Sequence, residues 1–423
     1  MAEPLAADLI LRHATLANGT RGDIAVRDGH IARIAPDIDA PDAAVEDLCG
    51  QLVLPSFVDL HMHLDKAFTA ELTCNESGTL QEAIVRFEQV RPRLARESYV
   101  ERALRTLRLC AAAGTTAVRS HVDVAVPSDG GVCVPEPVEA LLEVRERVRE
   151  LIDVQLVLLP GGNIAHDHDL YEVCEEALRL GADAVGGAPA LHEDPTALIT
   201  AAFDLAARYD RDVDLHVDET DDAATCTLLA VADATCAHGY QRRVTAGHCC
   251  SLAAMDDDAA ARVIERVAAA GITVVTLPSC NLYLQGRHDR FPVRRGLTRV
   301  KDLAAAGVNV AAASDNIRDP FNPFGRGDLL HIADLLAHAA HLGSPAEQAL
   351  VRDAIAANPR ATFVHADPAA LRGGMLREGD RADVVVCAID APRDLIAAQP
   401  TRSLVLRRGR VVARTHARPQ TAF

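Results

Sequence analysis

Eight short runs that read as β-strands recur through the middle of the chain, each followed by an Ala/Leu/Arg/Glu-rich stretch with helical spacing. They are Phe57–His63, Thr115–Val124, Asp153–Pro160, Ala182–Pro189, Asp212–Glu219, Arg243–Cys250, Thr273–Ser279 and Asn309–Asn316. Strands that alternate with helices pair in parallel, because each helix carries the chain back along the sheet. Eight such units predict an α/β fold, a (β/α)8 TIM-type barrel, which takes ~250 residues or more. The competing arrangement is an open doubly wound sheet. It would need a Gly-rich dinucleotide turn after its first strand, and Asp59-Leu60-His61-Met62-His63 stands there instead.

Both chain ends have a different rhythm. Asp8–Leu16, Asp23–Arg27 and His30–Ile34 read as strands, with Asp28-Gly29 as a hairpin turn. Ala382–Ile389 and Ser403–Thr415 read likewise, with Arg408-Gly409 as the turn. Two β-rich ends around a long barrel predict one small β-sandwich domain built from residues 1–56 and 366–423, and a barrel over 57–365. The length of 423 residues suits such a division.

Composition narrows the function classes. A formal net charge of −17 argues against nucleic acid or an anionic membrane as partner. No apolar stretch reaches the ~18 residues that span a bilayer, and Met1–Leu9, with Glu3 and Asp8, is no signal peptide. The 11 cysteines form no CxxC pair, and Cys110, Cys249, Cys250 and Cys280 lie in apolar runs, as buried reduced thiols do. These features predict a cytoplasmic protein.

Barrel enzymes carry their chemistry at the C-terminal ends of the strands. Here the first strand ends in His61-Met62-His63, the second in His121-Val122-Asp123 and the fifth in His216-Val217-Asp218-Glu219. The sixth ends in His248 and the eighth in Ser314-Asp315-Asn316. A lone HxH is weak evidence, since 17 histidines in a chain this long give roughly 0.7 such pairs by chance. The other pair, His166/His168, sits among charged residues and reads as a solvated loop. His61 and His63, by contrast, follow the apolar run Leu52–Leu60, and their i, i+2 spacing puts both imidazoles on one strand face. In a barrel that face is the interior, where unpartnered imidazoles are costly unless they bind a metal. His216 and the terminal carboxylate Asp315 complete a set of three nitrogens and one oxygen, which suits Zn(II) and Fe(II) equally well. As alternatives, His216 is a satisfied core histidine and Asp315 a helix N-cap.

At these residues the sequence resembles the amidohydrolase superfamily, in the branch around cytosine deaminase and N-isopropylammelide amidohydrolase. His61-Met62-His63-Leu64-Asp65-Lys66 matches the first-strand motif of the branch. Ser120-His121-Val122-Asp123-Val124, Ser77-Gly78-Thr79-Leu80, Leu284-Gln285-Gly286-Arg287, Gly247-His248 and Ser314-Asp315-Asn316-Ile317-Arg318-Asp319 are similar too. The resemblance covers nearly the whole chain. It implies that His61, His63, His216 and Asp315 hold one divalent ion, that Asp315 takes a proton from the attacking water, that His248 orients that water or polarises the substrate, and that Glu219 shuttles a proton to a ring nitrogen. Binuclear members bridge two metals with a carbamylated lysine, but the only lysines here, Lys66 and Lys301, lie outside the fourth strand. One metal follows. The resemblance also implies self-association, since barrels of this branch are often oligomeric.

Departures from the branch bear on the substrate. Cytosine deaminase places a Gln after its third strand to grip the pyrimidine edge, where this chain has Leu159-Pro160-Gly161-Gly162-Asn163. Asn163 either replaces that grip or serves a plain turn. Asn316 stands for a carboxylate and Phe321 for a Trp, while Arg287 and Arg318 are candidates for the pocket rim or for surface salt bridges. The expectation is a metal-dependent aminohydrolase that removes an exocyclic amine from a planar N-heterocycle (pyrimidine, triazine or pterin-like), with cytosine itself excluded. Hydrolysis of a ring amide is the alternative on the same site. A catalytically dead scaffold is the non-enzyme reading, and the intact ligand set argues against it.

Overall fold

The computed structural model describes residues 5–126 and 133–416. Its first five strands are β1 (Leu9–Thr15), β2 (Arg21–Arg27), β3 (His30–Ala35), β4 (Ala44–Asp47) and β5 (Leu52–Pro55). The next eight are β6 (Phe57–Met62), β7 (Thr115–Val124), β8 (Asp153–Pro160), β9 (Ala184–Val185), β10 (Asp212–Val217), β11 (Val244–His248), β12 (Thr273–Thr276) and β13 (Asn309–Ala312). The last three are β14 (Val384–Cys387), β15 (Arg402–Arg407) and β16 (Arg410–Arg414).

Strands β1–β5 and β14–β16 form one sheet in the order β16-β15-β14-β5-β1-β2-β3, with β4 added beside β1. The two ends meet where β14 runs antiparallel to β5, with Val385 opposite Leu54. Ile24, Val26, Val53, Val384, Leu404 and Leu406 share one buried cluster on this sheet. The strands from both chain ends make one continuous hydrogen-bonded path, the small terminal domain that the sequence predicts, and β4 and β5 are strands that the sequence reading passed over. Both hairpins turn as the sequence predicts. Asp28-Gly29 and Arg408-Gly409 have φ of 50°, 77°, 47° and 73°, the left-handed pairs that match strand twist in two-residue turns.

The other sheet holds β6 to β13 in sequence order, every pair parallel, with helices between successive strands. A bridge from Met62 to Asp315 joins its two ends, and the Asp315 amide donates to the His61 carbonyl at 2.8 Å. That closure makes the barrel and brings the first and last strand ends together. β9 is only two residues long because Gly186, Gly187 and Pro189 follow it. A Cβ on Gly186 would stand 2.5 Å from the Leu158 carbonyl oxygen, so only glycine continues the ladder there. Among the described residues no helix is long and apolar enough to cross a membrane, and no disulfide forms.

Asp153, at the start of β8, ties the terminal sheet to the barrel. It accepts from Arg407 and from Arg381 Nη2, the latter at 2.8 Å, while Arg381 also reaches Asp383 at 2.7 Å. Arg407 is 2% exposed and would be left without its carboxylate in Asp153→Asn. The expected cost is about 2 kcal/mol, read as a lowered denaturation midpoint. Asp390→Asn, which loosens an exposed pair with Arg21 at 3.7 Å, is the control and should change almost nothing. Equal midpoints for both variants would refute the clamp.

Candidate active site

The strand ends converge on four donors. His61 Nε2 and His63 Nε2 each lie 3.2 Å from His216 Nε2. Asp315 Oδ1 lies 3.7 Å from His61 Nε2 and 3.3 Å from His63 Nε2. Ligands at ~2.0–2.1 Å from a tetrahedral ion stand about 3.3 Å from one another, and these four pairs span 3.2–3.7 Å. His61, His63 and Asp315 are buried, and His216 opens partly to the pocket.

The chemistry of these donors fits a cation. Burial holds His61, His63 and His216 well below the usual histidine range, so they are neutral and each ring keeps one nitrogen with a lone pair. Burial pushes Asp315 up to about 7, and neither of its oxygens has a hydrogen-bond partner. Neutral nitrogens facing one another across 3.2 Å beside an unpartnered carboxylate are poorly placed for one another and well placed for a divalent ion. Backbone geometry agrees. His248 and Asp315 hold φ of 67° and 59°, a region that L-residues seldom adopt and that clusters at functional sites. Gly247 also contributes by having no side chain, since a Cβ there would meet the His61 ring at 3.0 Å.

Glu219 and His248 stand beside the cradle. Glu219 Oε1 lies 3.4 Å from His248 Nδ1. Burial and the nearby Asp315 push the Glu219 carboxyl well above the ordinary range. Burial lowers His248 to about 3, which leaves it neutral. Asn281 Nδ2 donates to His248 Nδ1 at 3.0 Å, so the ring proton sits on Nε2, which has no protein partner. The neighbouring carboxylate is used differently. Asp218 accepts from Thr227 N (2.9 Å), Thr227 Oγ1 (2.7 Å) and Leu228 N (3.1 Å) and caps the helix Thr227–His238. Asn281 was missed in the sequence, although it lies just past a strand end, because no titratable residue drew attention to that strand.

The cradle opens into a cavity of about 770 Å³ lined by Lys66, Phe87, Asp123, Leu159, Gly161, Ala188, Ala190, Arg287, Asn316 and Phe321 among others. Asn316 donates to Asp319 Oδ2 at 2.8 Å and accepts from Cys280 Sγ at 3.6 Å. Arg287 lies on the rim, stacked 4.4 Å from the Tyr283 ring centroid, where Gly78 leaves room for it. The structure does not bring Asn163 or Arg318 to the cavity wall. Asn163 bonds the Ala165 amide and the Asp194 carbonyl, both at 3.0 Å, and serves its own turn. Arg318 is exposed and packs on Phe68. His166 and His168 are exposed, beside Asp194 and Glu172.

Comparison with known proteins gives a consistent picture. A family model described as the amidohydrolase family matches residues 73–413. A pterin deaminase of Rhizobium rhizogenes is 34% identical over 98% of this chain and 96% of its own. An N-isopropylammelide isopropyl amidohydrolase of a Pseudomonas species is 27% identical over 96% and 97%. The crystal structure of 5-methylcytosine deaminase from Klebsiella pneumoniae with 5-fluorocytosine superposes with a TM-score of 0.89 at 31% identity, covering 97% of this chain and 99% of that one.

Proposed function

Because this chain belongs to the amidohydrolase family, we propose that its barrel, residues 57–365, hydrolyses an exocyclic C–N bond of a planar N-heterocycle and releases the amine. The observation that carries this reading is the convergence of His61, His63, His216 and Asp315 beside Glu219 and His248 at the base of one cavity. A single Zn(II) or Fe(II) held by those four residues would lower the pKa of a water towards ~7 and so supply hydroxide at neutral pH.

The chain's own groups do the rest. Glu219, protonated through burial, gives its proton to the ring nitrogen next to the attacked carbon and later carries one to the departing amine. Asp315 accepts the proton that the attacking water gives up. The Nε2–H of His248, set by Asn281, donates to the attacking oxygen or to the substrate. Phe87, Leu159 and Phe321 cover the ring faces and exclude water.

Pterins lead the substrates to test. A relative sharing 34% identity carries that name, and the wall made by Gly161, Ala188 and Ala190 bears no large side chain. Aminopyrimidines, aminotriazines and N-alkyl derivatives follow. The enzyme acts in the cytoplasm on a small molecule, without nucleic acid or membrane as partner, and self-associates. Purified protein is expected to carry about one Zn or Fe per chain and to release ammonia or a small amine from one ring class. A stoichiometric metal with a ring-opened, amine-free product would replace this reading by ring-amide hydrolysis. No metal after reconstitution would overturn the cradle.

A further inference from the structure

One layer below the cradle, towards the strand N-termini, the barrel interior is polar where such barrels mostly pack Val, Ile and Leu. The fully buried Arg119 donates from Nε to Gln155 Oε1 at 2.9 Å and from Nη1 to Asp214 Oδ2 at 3.1 Å and Thr245 Oγ1 at 3.2 Å. Asp214 lies on β10 two residues before His216, and its Oδ1 has no hydrogen-bond partner. His121, two residues after Arg119 on β7, has no partner at either ring nitrogen, and its Nε2 stands 3.5 Å from Asp214 Oδ1. His61 Nδ1 is likewise unpartnered. His61, His121 and Asp214 each offer a ligand atom within 4.8 Å of the others. Unmatched donors thus stand beside an unmatched acceptor, all of them buried.

The tautomer of His61 decides what joins them. His61 faces the cradle with Nε2, so when that nitrogen holds an ion the ring proton sits on Nδ1. A buried N–H without an acceptor is costly, and ligating imidazoles give this proton to a carboxylate, a carbonyl or a water. We propose that Asp214 is a positioning residue of the metal centre. Its Oδ1 receives the Nδ1 proton of His61, directly or through one water, while Arg119 holds the carboxylate by Oδ2 and compensates its charge. His121 is the second donor to the same oxygen and fills the space beneath the cradle. The inference rests on the reading of His61, His63, His216 and Asp315 as the metal cradle. It explains why Asp214 occupies the barrel core beside Arg119, which also reaches Asp212 Oδ2 from Nη2 at 3.4 Å, where an apolar layer would be at least as stable.

The test compares full-length wild type, Asp214→Asn and Thr245→Val, each stripped of metal and titrated with Zn(II) against a chromophoric chelator. In Asp214→Asn the amide turns its oxygen to Arg119 and its NH2 to His61, so donor faces donor. Zinc affinity is expected to fall about 10- to 100-fold. Thr245→Val removes another Arg119 contact and should leave the affinity within about threefold of wild type. An Asp214→Asn affinity within that margin, or an equal loss in both variants, overturns the proposal. If Asp214→Asn does not fold, the crystal structure of zinc-loaded wild type decides. His61 Nδ1 bonded to Asp214 Oδ1, directly or through one water, supports it, and Nδ1 bonded elsewhere overturns it. Failure of the cradle itself would look different, because wild type would then bind no zinc.

Discussion

His63→Ala is expected to leave purification without stoichiometric metal and without measurable turnover. Its Nε2 lies 3.2 Å from His216 Nε2 and 3.3 Å from Asp315 Oδ1, so the substitution removes one corner of the cradle. Loss of an outer partner of a ligand costs up to ~100-fold in affinity, and loss of the ligand itself should exceed that. The fold should survive. His63 is buried, and although Lys66 Nζ loses its 3.3 Å contact with His63 Nδ1, it keeps its bond to Asp123. The cavity left by the ring and the lost Lys66 contact should together cost about 2 kcal/mol relative to the metal-free wild type, too little to unfold it. Elemental analysis and chemical denaturation check the two halves. A variant with full metal and full turnover would remove His63 from the site.

Glu219→Gln should behave in the opposite way, keeping the metal and losing the chemistry. Glu219 approaches His248 Nδ1 at 3.4 Å and is not one of the four converging donors. The amide keeps the shape and a hydrogen-bonding end but has no proton to transfer. General acid–base catalysis by one side chain contributes about 10²–10⁴ in rate, and a loss of that size in kcat is expected, with metal content unchanged. KM should move far less, because the ring still meets Phe87, Leu159 and Phe321. A kcat near that of wild type would show that another group moves the proton.

Much of the site was legible because its signals are local. The i, i+2 spacing of His61 and His63, and their place after an apolar run, put both rings inside whatever the strand lines. Asp28-Gly29 and Arg408-Gly409 marked two hairpins through their tolerance of positive φ. The interior polar layer was open to the same reasoning, since Arg119/His121 and Asp214/His216 are also i, i+2 pairs, but a single Arg or Asp on a strand is hard to tell from a surface residue before the barrel is built. Asn163, open in the sequence between a substrate contact and a plain turn, bonds the Asp194 carbonyl and the Ala165 amide and so serves the turn.

The sequence by itself determined the barrel strands, their parallel order, the strand ends that carry metal-ligating types and the family to which they belong, because periodicity, turn chemistry and short motifs act over a few residues. Only the tertiary structure decided which of those groups meet. The Met62–Asp315 bridge closes the barrel and brings the last carboxylate to the first histidines. Asn281 reaches His248 from the helix after the seventh barrel strand, and of two adjacent carboxylates Asp218 caps a helix while Glu219 enters the cavity. Contacts between separate elements depend on how the barrel closes and on which buried polar atoms find partners, and that balance is set by the packed whole.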